Sequence, residues 1–274
     1  PEALCQPEGR DFPAFARAPA GGACETGGKP LMRSYAIGDI HGHLDKLEAS
    51  HALISADMAQ HGVAPVVHVG DLVDRGPDSS GVVEYLRRGI AAGADWVVLK
   101  GNHDRMFSRF LDNPYEPEPG LRAELSWLHP RLGGGETLAS YGVRNASDRP
   151  VDPVHAEALA AVPETHRRFL ESRPSWHRIG EVLFVHAGIR PGVAMEDQTE
   201  TDLVWIRHDF LDDRRDHGPL IVHGHTAIEA ATHYGNRVNI DSSVAYGGPM
   251  TAIAIEGRSV FHLTPAGRVP LVPR

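Results

Sequence analysis

The chain has 274 residues, 41% of them hydrophobic and 23% charged, which excludes a wholly disordered protein and allows a sizeable buried core. Its 27 basic and 36 acidic residues give a net charge of −9, which argues against a nucleic-acid partner. The chain has only two cysteines, which excludes a disulfide framework and favours a reducing compartment, so we expect a cytoplasmic protein. No charge-free stretch is longer than 242–255, which excludes a membrane span.

Residues 1–31 are rich in proline and glycine and show no regular apolar pattern. We expect an irregular N-terminal arm or leader here, without a secretory signal. A single domain is predicted over 32–267, followed by a C-terminal tail at 268–274. The last four residues, 271–274, resemble the remnant of a cleavable tag, and a native origin stays equally open. The pairing of Cys5 with Cys24 and the oligomeric state stay open at this point.

From Met32 onward, short apolar runs alternate with amphipathic stretches. Strands are predicted at 34–37, 66–69, 96–99, 182–185, 220–222, 238–240 and 251–255, and helices at 43–61 and 79–92. This order is typical of an α/β fold built from βαβ units with right-handed crossovers. The proline-rich run and the Gly133–Gly135 triplet break the pattern, so 113–153 is predicted to be a substrate-facing insertion.

Side chains that bind metals follow five of the predicted strands. In chain order they are Asp39 and His41, Asp71, Asn102 and His103, His186, and His225. Ligands collect beyond the carboxyl ends of the strands in open α/β sheets, so we expect these groups to meet at one rim. A single glycine–ligand pair more often marks a turn, and the prediction therefore depends on the ordered set.

This mixture of carboxylate, imidazole and amide groups suits a pair of Mn, Fe or Zn ions, whereas calcium prefers oxygen ligands alone. One carboxylate can bridge two ions about 3.5–4 Å apart. Asp71 lies in the middle of the series and is the predicted bridge. Histidines outside the series are predicted to be structural: His51 and His68 as packed or surface residues, His43 as local structure, and His223 because the strand pleat turns it away from His225.

The chain carries five spaced motifs: Gly38-Asp-Ile-His-Gly42, Gly70-Asp-Leu-Val-Asp-Arg-Gly76, Gly101-Asn-His-Asp104, His186-Ala-Gly188 and Gly224-His-Thr226. As a set, with Leu203-Val-Trp-Ile-Arg207 and Asn239-Ile-Asp241, they resemble the phosphoprotein phosphatase branch of the calcineurin-like metallophosphoesterases, in its compact bacterial form. The resemblance runs from Met32 to about Gly257. It implies a catalytic domain with a β-sandwich flanked by helices, in αββα layers, and a dimetal site at the carboxyl ends of the strands.

The resemblance also implies a set of metal ligands. One ion would take Asp39, His41 and Asp71, and the second would take Asp71, Asn102, His186 and His225. Manganese is the expected metal, with iron or zinc as alternatives. Other branches of the superfamily carry a second histidine where this chain has Ala227. This departure favours the phosphatase branch over phosphodiesterases and nucleases.

The implied reaction is direct attack of a metal-bridging hydroxide on phosphorus. His103 would protonate the leaving alkoxide, and Asp74 would orient His103. Arg75 and Arg207 would bind phosphate oxygens. Asp241 would orient His225, although the following Ser242-Ser243 departs from the Thr-Gly of relatives.

The expected substrate is a phosphorylated protein or peptide, or a small phosphate ester, and the expected activity is that of a Ser/Thr protein phosphatase. The alternative is a symmetrical bis(5'-nucleosyl)-tetraphosphatase, and an inactive metal-binding scaffold is a third interpretation. Symmetrical tetraphosphatases commonly carry alanine at the position of Asp74, which favours the monoesterase. Specificity is expected at the rim, from Tyr115, Trp127, Gly133–Gly135 and Tyr246.

Overall fold

The computed structural model of the protein describes residues 32–274, so the expected N-terminal arm and both cysteines lie outside the described residues. The helices of this part are α1 (Leu44–His61), α2 (Ser79–Ala91), α3 (Asn102–Asp112), α4 (Gly134–Ser140), α5 (Val151–Ala161), α6 (Glu164–Glu171), α7 (Glu200–Trp205) and α8 (His208–Leu211). The strands are β1 (Arg33–Ile37), β2 (Val66–His68), β3 (Trp96–Val98), β4 (Trp176–Ile179), β5 (Val182–Val185), β6 (Leu220–His223), β7 (Thr232–His233), β8 (Arg237–Asn239), β9 (Ala252–Glu256), β10 (Ser259–Thr264) and β11 (Gly267–Pro270).

The strands form two mixed sheets. The first has the order β11-β10-β9-β1-β2-β3, and the second has the order β4-β5-β6-β8-β7. Strands β1, β2 and β3 run parallel, as do β5, β6 and β8. The predicted βαβ units are therefore present in the first sheet, and each sheet brings three parallel carboxyl ends to one edge.

Alternation along the strands explains how the layers stack. In β1, Tyr35 packs on the helical side in one cluster with Leu47 of α1, whereas its neighbour Ala36 packs in a second cluster with Val222 of β6. Successive side chains of a strand point to opposite faces, so the first sheet is covered by helices on one face and by the second sheet on the other. Burial of both faces explains why these strands are almost continuously apolar.

The second sheet repeats this arrangement. Phe184 of β5 faces the first sheet, whereas Leu183 faces outward and packs with Phe210 of α8. The result is the αββα order of layers, and the predicted fold class is confirmed.

None of the helices within 32–274 is long and apolar enough to cross a membrane.

Two local expectations differ from the structure. The Gly133–Gly135 triplet does not simply break the chain: Gly133, with a φ of 89°, precedes α4, which begins at Gly134. The expected tail is also packed, because Gly267–Pro270 forms β11. Beyond it, the Leu271 N–H donates to Val260 O, and the Arg274 N–H donates to His233 O. Residues 271–274 thus connect the first sheet to the second.

Candidate metal centre

Each predicted ligand lies just beyond a strand end at the edge shared by the two sheets. The ligands from the first sheet are Asp39, His41, Asp71 and Asn102, and those from the second are His186 and His225. Each of these side chains is buried. The parallel strands within each sheet end at the same edge, which brings distant residues into contact. For example, the His225 N–H donates to the Asp39 carboxylate, 186 positions away, at 3.2 Å.

Asp71 lies between two groups of ligand atoms. Its Oδ2 is 3.5 Å from Nε2 of His41, and its Oδ1 is 3.3 Å from Nε2 of His186. Two sets of side chains bring their ligand atoms within 4.8 Å of one another, and Asp71 belongs to both: one set adds His41 and His103, the other adds His186 and His225. This sharing is the geometry that a bridging carboxylate requires.

The hydrogen bonds of the two histidines fix which ring nitrogen faces Asp71. Nδ1 of His41 donates to Val73 O and Nδ1 of His186 donates to Val69 O, both at 2.9 Å. In the neutral ring, Nε2 therefore presents a lone pair toward a carboxylate. Asp71 outweighs the effect of burial and raises the pKa of His186 to about 9. The site thus attracts a positive charge at Nε2, which a metal ion can supply in place of a proton.

Asn102 contributes an oxygen to the same group. Its Oδ1 lies 2.9 Å from Nε2 of His186 and 2.8 Å from Nδ1 of His225. Burial and the nearby Asp241 carboxylate also raise the pKa of Asp39 well above its usual range. Closely spaced oxygen and nitrogen acceptors around a buried negative centre fit a divalent cation of the Mn, Fe or Zn type.

The backbone at the site adopts a conformation that sequence patterns did not indicate. Within 32–274, the non-glycine residues with positive φ are His41, Asp71, Asp74, Arg75, His225 and Ser243 at the site, and Asn145 elsewhere. Such residues cost about 1–3 kcal/mol each and are maintained where the surrounding structure fixes them. Their concentration here agrees with a functional site.

A buried pair stands beside Asp71. Nδ1 of His103 is 2.6 Å from Oδ2 of Asp74, and both side chains are fully or almost fully buried. Burial raises the pKa of Asp74 to about 8 and lowers the pKa of His103 to about 3. The 2.6 Å distance places one proton between Oδ2 of Asp74 and Nδ1 of His103. Nε2 is therefore the ring nitrogen of His103 that is left for the cavity.

Two arginines line the cavity above these groups, which has a volume of about 320 Å³. Arg75 lies with Nη1 3.0 Å from Nε2 of His41, and its buried Nε has no hydrogen-bond partner within the described residues. Arg207 is exposed and donates to Thr226 at 3.3 Å. Both arginines therefore line the same cavity, and their binding of phosphate oxygens stays a prediction.

The side chain of Asp241 contacts the chain two residues on. Its Oδ1 accepts a hydrogen bond from the backbone N–H of Ser243 at 3.0 Å. Nδ1 of His225 contacts Asn102, and its Nε2 has no partner within 32–274. No hydrogen bond joins Asp241 to His225 within the described residues, and the orienting role of Asp241 stays a prediction.

The predicted rim is only partly at the site. Tyr246 lies at the cavity mouth, with Arg75 5.3 Å from its ring centre. Trp127 is buried and donates a hydrogen bond to Asp74, and Gly133 O accepts from the Arg75 N–H. Tyr115 lines a different cavity of about 340 Å³ and donates to Asp152.

Histidines outside the series have structural contacts. His51 and His68 are buried, with their Nε2 atoms 2.9 Å apart. His223 is buried against Arg237. His43 is half-buried and precedes α1. These placements agree with the structural roles predicted for them.

Asp104 is the last residue of the Gly101–Asp104 motif, and the sequence predicted no role for it. It is fully buried, and its carboxylate accepts hydrogen bonds from the N–H groups of Leu72 and Gly101, both at 2.8 Å. It thereby joins the loop after β2 to the start of α3. An acidic residue at the third position of a helix is the sequence signal that could have indicated it.

The model of the calcineurin-like phosphoesterase family matches residues 32–253, which include every ligand at the two sheet edges. The chain belongs to this family. Membership identifies it as a hydrolase of phosphate esters, and together with the two ligand groups it implies divalent metal ions as cofactors.

Relatives of this phosphoesterase have two kinds of activity in their names. The chain is 28% identical over 231 residues to serine/threonine-protein phosphatase 1 of Salmonella typhimurium, covering 81% of this chain and 91% of that protein. It is 24% identical over 243 residues to the asymmetrical bis(5'-nucleosyl)-tetraphosphatase PrpE of Bacillus thuringiensis, covering 81% and 90%. Among solved structures, a cold-active protein-tyrosine phosphatase of a psychrophilic Shewanella species shares the fold, with a TM-score of 0.56 and 18% identity over 88% of this chain and 81% of that one.

Proposed function

We propose that this phosphoesterase is a dimetal-dependent phosphomonoesterase of the Ser/Thr protein phosphatase type. The observation that carries the proposal is the buried Asp74–His103 pair, which presents an N–H donor beside Asp71, the carboxylate common to both ligand groups. A proton donor next to two cation sites is what release of an alkoxide from phosphorus requires.

In this proposal, Asp39, His41 and Asp71 hold one ion, and Asp71, Asn102, His186 and His225 hold the second. His103 also lies within ligand distance of the first ion. Its Nδ1 is already engaged by Asp74, so we assign it to proton transfer. When bound, the two ions would supply an activated water nucleophile and neutralise charge on the phosphoryl oxygens.

The side chains of the protein supply the remaining steps. Arg75, whose Nε has no partner within the described residues, and Arg207, which lines the same cavity, bind the non-bridging phosphate oxygens. His103 donates its Nε2 proton to the leaving oxygen while the proton between Oδ2 of Asp74 and Nδ1 stays on Nδ1, so that the ring ends neutral and Asp74 ends as a carboxylate. No covalent intermediate with a side chain is part of the proposal.

The leaving group decides between the two activities named among the relatives. A serine alkoxide is a poor leaving group and needs the proton of His103, whereas a nucleotide phosphate leaves without much protonation. The presence of Asp74 and its contact with His103 therefore favour the phosphomonoesterase. The phosphatase of Salmonella typhimurium supports the same choice.

A dinucleoside tetraphosphatase is the second candidate, favoured by the similarity to PrpE over most of the chain. The alternative predicted from the sequence is the symmetrical enzyme, whereas this relative is named as asymmetrical. An asymmetrical reaction would divide the four phosphates unequally, giving a nucleoside monophosphate and a triphosphate. We further propose manganese as the metal and a bacterial cytoplasm as the setting, in line with the ligand types and the bacterial relatives.

The deciding experiment compares two substrates on metal-stripped protein reloaded with manganese. One arm contains a phosphoserine or phosphothreonine peptide, and the other contains diadenosine tetraphosphate, with products separated by chromatography. Faster release of phosphate from the peptide is the expected result. Faster cleavage of the dinucleotide would replace the proposal with the second candidate, and its products would show whether cleavage is symmetrical or asymmetrical.

A second experiment tests the role of His103. His103→Asn is expected to slow hydrolysis of an alkyl phosphate about 10²–10⁴-fold, the usual contribution of a positioned acid, and to slow an activated aryl phosphate far less. His43→Asn is the matched control, since that half-buried histidine lies outside the ligand groups. Equal losses on both esters would remove the acid role from His103.

A further inference from the structure

The irregular segment 113–133 contacts the Asp74–His103 pair through the side chain of Trp127. Trp127 is 6% exposed, and its Nε1–H donates to Oδ2 of Asp74 at 2.9 Å. The same oxygen lies 2.6 Å from Nδ1 of His103. One carboxylate oxygen therefore faces both the tryptophan and the histidine.

The indole ring is held in place from several sides. It stacks on Phe107 with ring centres 5.1 Å apart and an interplanar angle of 20°, and it lies 4.7 Å from Phe110. Both phenylalanines belong to α3, the helix that begins with Asn102 and His103. A β-carbon at Gly134 would lie 2.6 Å from the ring, so close packing against that backbone requires glycine.

The other carboxylate oxygen of Asp74 is fixed separately. Its Oδ1 accepts a hydrogen bond from Thr137 Oγ1 at 2.7 Å, and Thr137 belongs to α4. A carboxylate held at one oxygen can still rotate about its axis, whereas one held at both cannot. Trp127 thus holds Oδ2 independently of His103, the ring that Asp74 is proposed to orient.

We propose that Trp127 is a positioning residue for proton donation: its N–H fixes Oδ2 of Asp74, which in turn holds the His103 ring with Nε2–H toward the leaving oxygen. This inference rests on the acid role proposed for His103. It assigns the segment 113–133 a part in turnover, in addition to forming a wall of the site. The hydrogen bond and the ring contacts of Trp127 within 32–274 are with Asp74, Phe107 and Phe110, so we expect its effect to pass through Asp74.

The test is Trp127→Phe, which removes the N–H donor and keeps an aromatic ring against Phe107. The ratio of turnover on an alkyl phosphate to turnover on 4-nitrophenyl phosphate is measured with manganese-loaded protein. We expect the alkyl rate to fall about tenfold, less than the 10²–10⁴-fold contribution of a positioned acid because His103 itself is kept, and the aryl rate to fall less than twofold. Bound manganese should stay unchanged by metal analysis, because Asp71 and the histidines are untouched.

Phe110→Leu is the control for packing, since it disturbs the same aromatic cluster and leaves the Trp127–Asp74 bond in place. It should keep the ratio of the wild type. Partial unfolding lowers both rates equally and does not change the ratio. If Trp127→Phe does not fold, Trp127→His, whose ring retains an N–H donor, is compared with Trp127→Leu, and the histidine should recover part of the alkyl rate.

The outcomes separate the two proposals. If His103→Asn changes the ratio and the Trp127 variants do not, the positioning role is wrong and the acid role stands. If His103→Asn leaves the ratio unchanged, the acid role fails and the positioning role fails with it. A change in both supports the positioning role.

Discussion

The backbone N–H of His103 donates a hydrogen bond to Oδ1 of Asp71 at 2.9 Å. This bond joins the proposed proton donor to the carboxylate proposed to bridge the two ions. Because the same oxygen faces His186, any shift of the Asp71 carboxylate disturbs the ligand group and the start of α3 together.

Asp71→Asn is expected to remove both activity and at least one metal ion. An amide presents one oxygen where the carboxylate presents two, so it cannot face His41 and His186 at once. Replacing a residue that only supports the metal ligands already lowers metal affinity or activity about 10–100-fold. We therefore expect turnover to fall by at least that factor. Turnover and bound metal are measured together, with the exposed Asp95→Asn as the control. Full activity with two ions retained would contradict the bridging role.

Gly101→Ala is expected to lower metal content without altering any proposed ligand. A β-carbon at Gly101 would lie 2.1 Å from Oδ1 of Asp71 and 2.3 Å from its backbone nitrogen, so Asp71 must move. Gly235→Ala is the control, because it meets open space and carries only the cost of a φ of 90°. Metal analysis should show a loss of bound metal in Gly101→Ala alone. Equal metal content in the two variants would show that the chain accommodates the new β-carbon without moving Asp71.

Metal affinity should decrease as the pH falls. Asp71 outweighs burial and raises the pKa of His186 to about 9, so below that pH the ring carries a proton that an ion must displace. One displaced proton corresponds to about a tenfold weaker affinity per pH unit. Calorimetric titration with manganese between pH 6.5 and 8, in buffers of different ionisation enthalpy, measures that proton. An affinity independent of pH would show that the His186 ring is already neutral before the ion binds.

Phosphodiesters should be poor substrates. The cavity has Ala227 where other branches of the superfamily carry a second histidine, and nothing in its side chain can bind the additional ester group. Rates on bis(4-nitrophenyl) phosphate and 4-nitrophenyl phosphate are compared with the same enzyme preparation. Comparable rates on the two esters would contradict assignment to the phosphatase branch.

Acid should destabilise the protein through His68. Burial lowers the pKa of this histidine to about 4, below its value of about 6.5 in the unfolded chain. Its contribution to stability is therefore present above pH 6.5 and is lost as the pH falls toward 4. Between pH 7 and 5 this amounts to about 2 kcal/mol in the free energy of unfolding. In urea unfolding, the difference in the free energy of unfolding between pH 7 and pH 5 should be smaller by that amount in His68→Asn. The same difference should be unchanged in His208→Gln, whose side chain is 85% exposed.

The ligand positions could be predicted from the sequence because each one immediately follows an apolar strand. The chain direction after β1, β2 and β3 is set by local pattern, so Asp39, Asp71 and Asn102 could be placed at one edge. The order of the strands within two sheets depends on pairing between distant segments. It came from the family resemblance and not from periodicity.

Contacts that depend on irregular backbone were not predictable in the same way. Trp127 lies 53 positions from Asp74 in a segment without periodicity, and their hydrogen bond requires the fold of the whole insertion. The carboxylate of Asp241 accepts a hydrogen bond from the N–H of Ser243, a residue whose positive φ a serine rarely adopts and a pattern of residue types does not indicate.

The division of the ligands between the two sheets has a consequence for biosynthesis. The proposed second ion takes Asp71 and Asn102 from the first sheet and His186 and His225 from the second. During translation the first sheet's contribution emerges more than a hundred residues before His225, and that ligand group stays incomplete until both sheets have docked. Loading of this ion is therefore a late event, and a ribosome stalled before position 225 would carry a nascent chain unable to retain it.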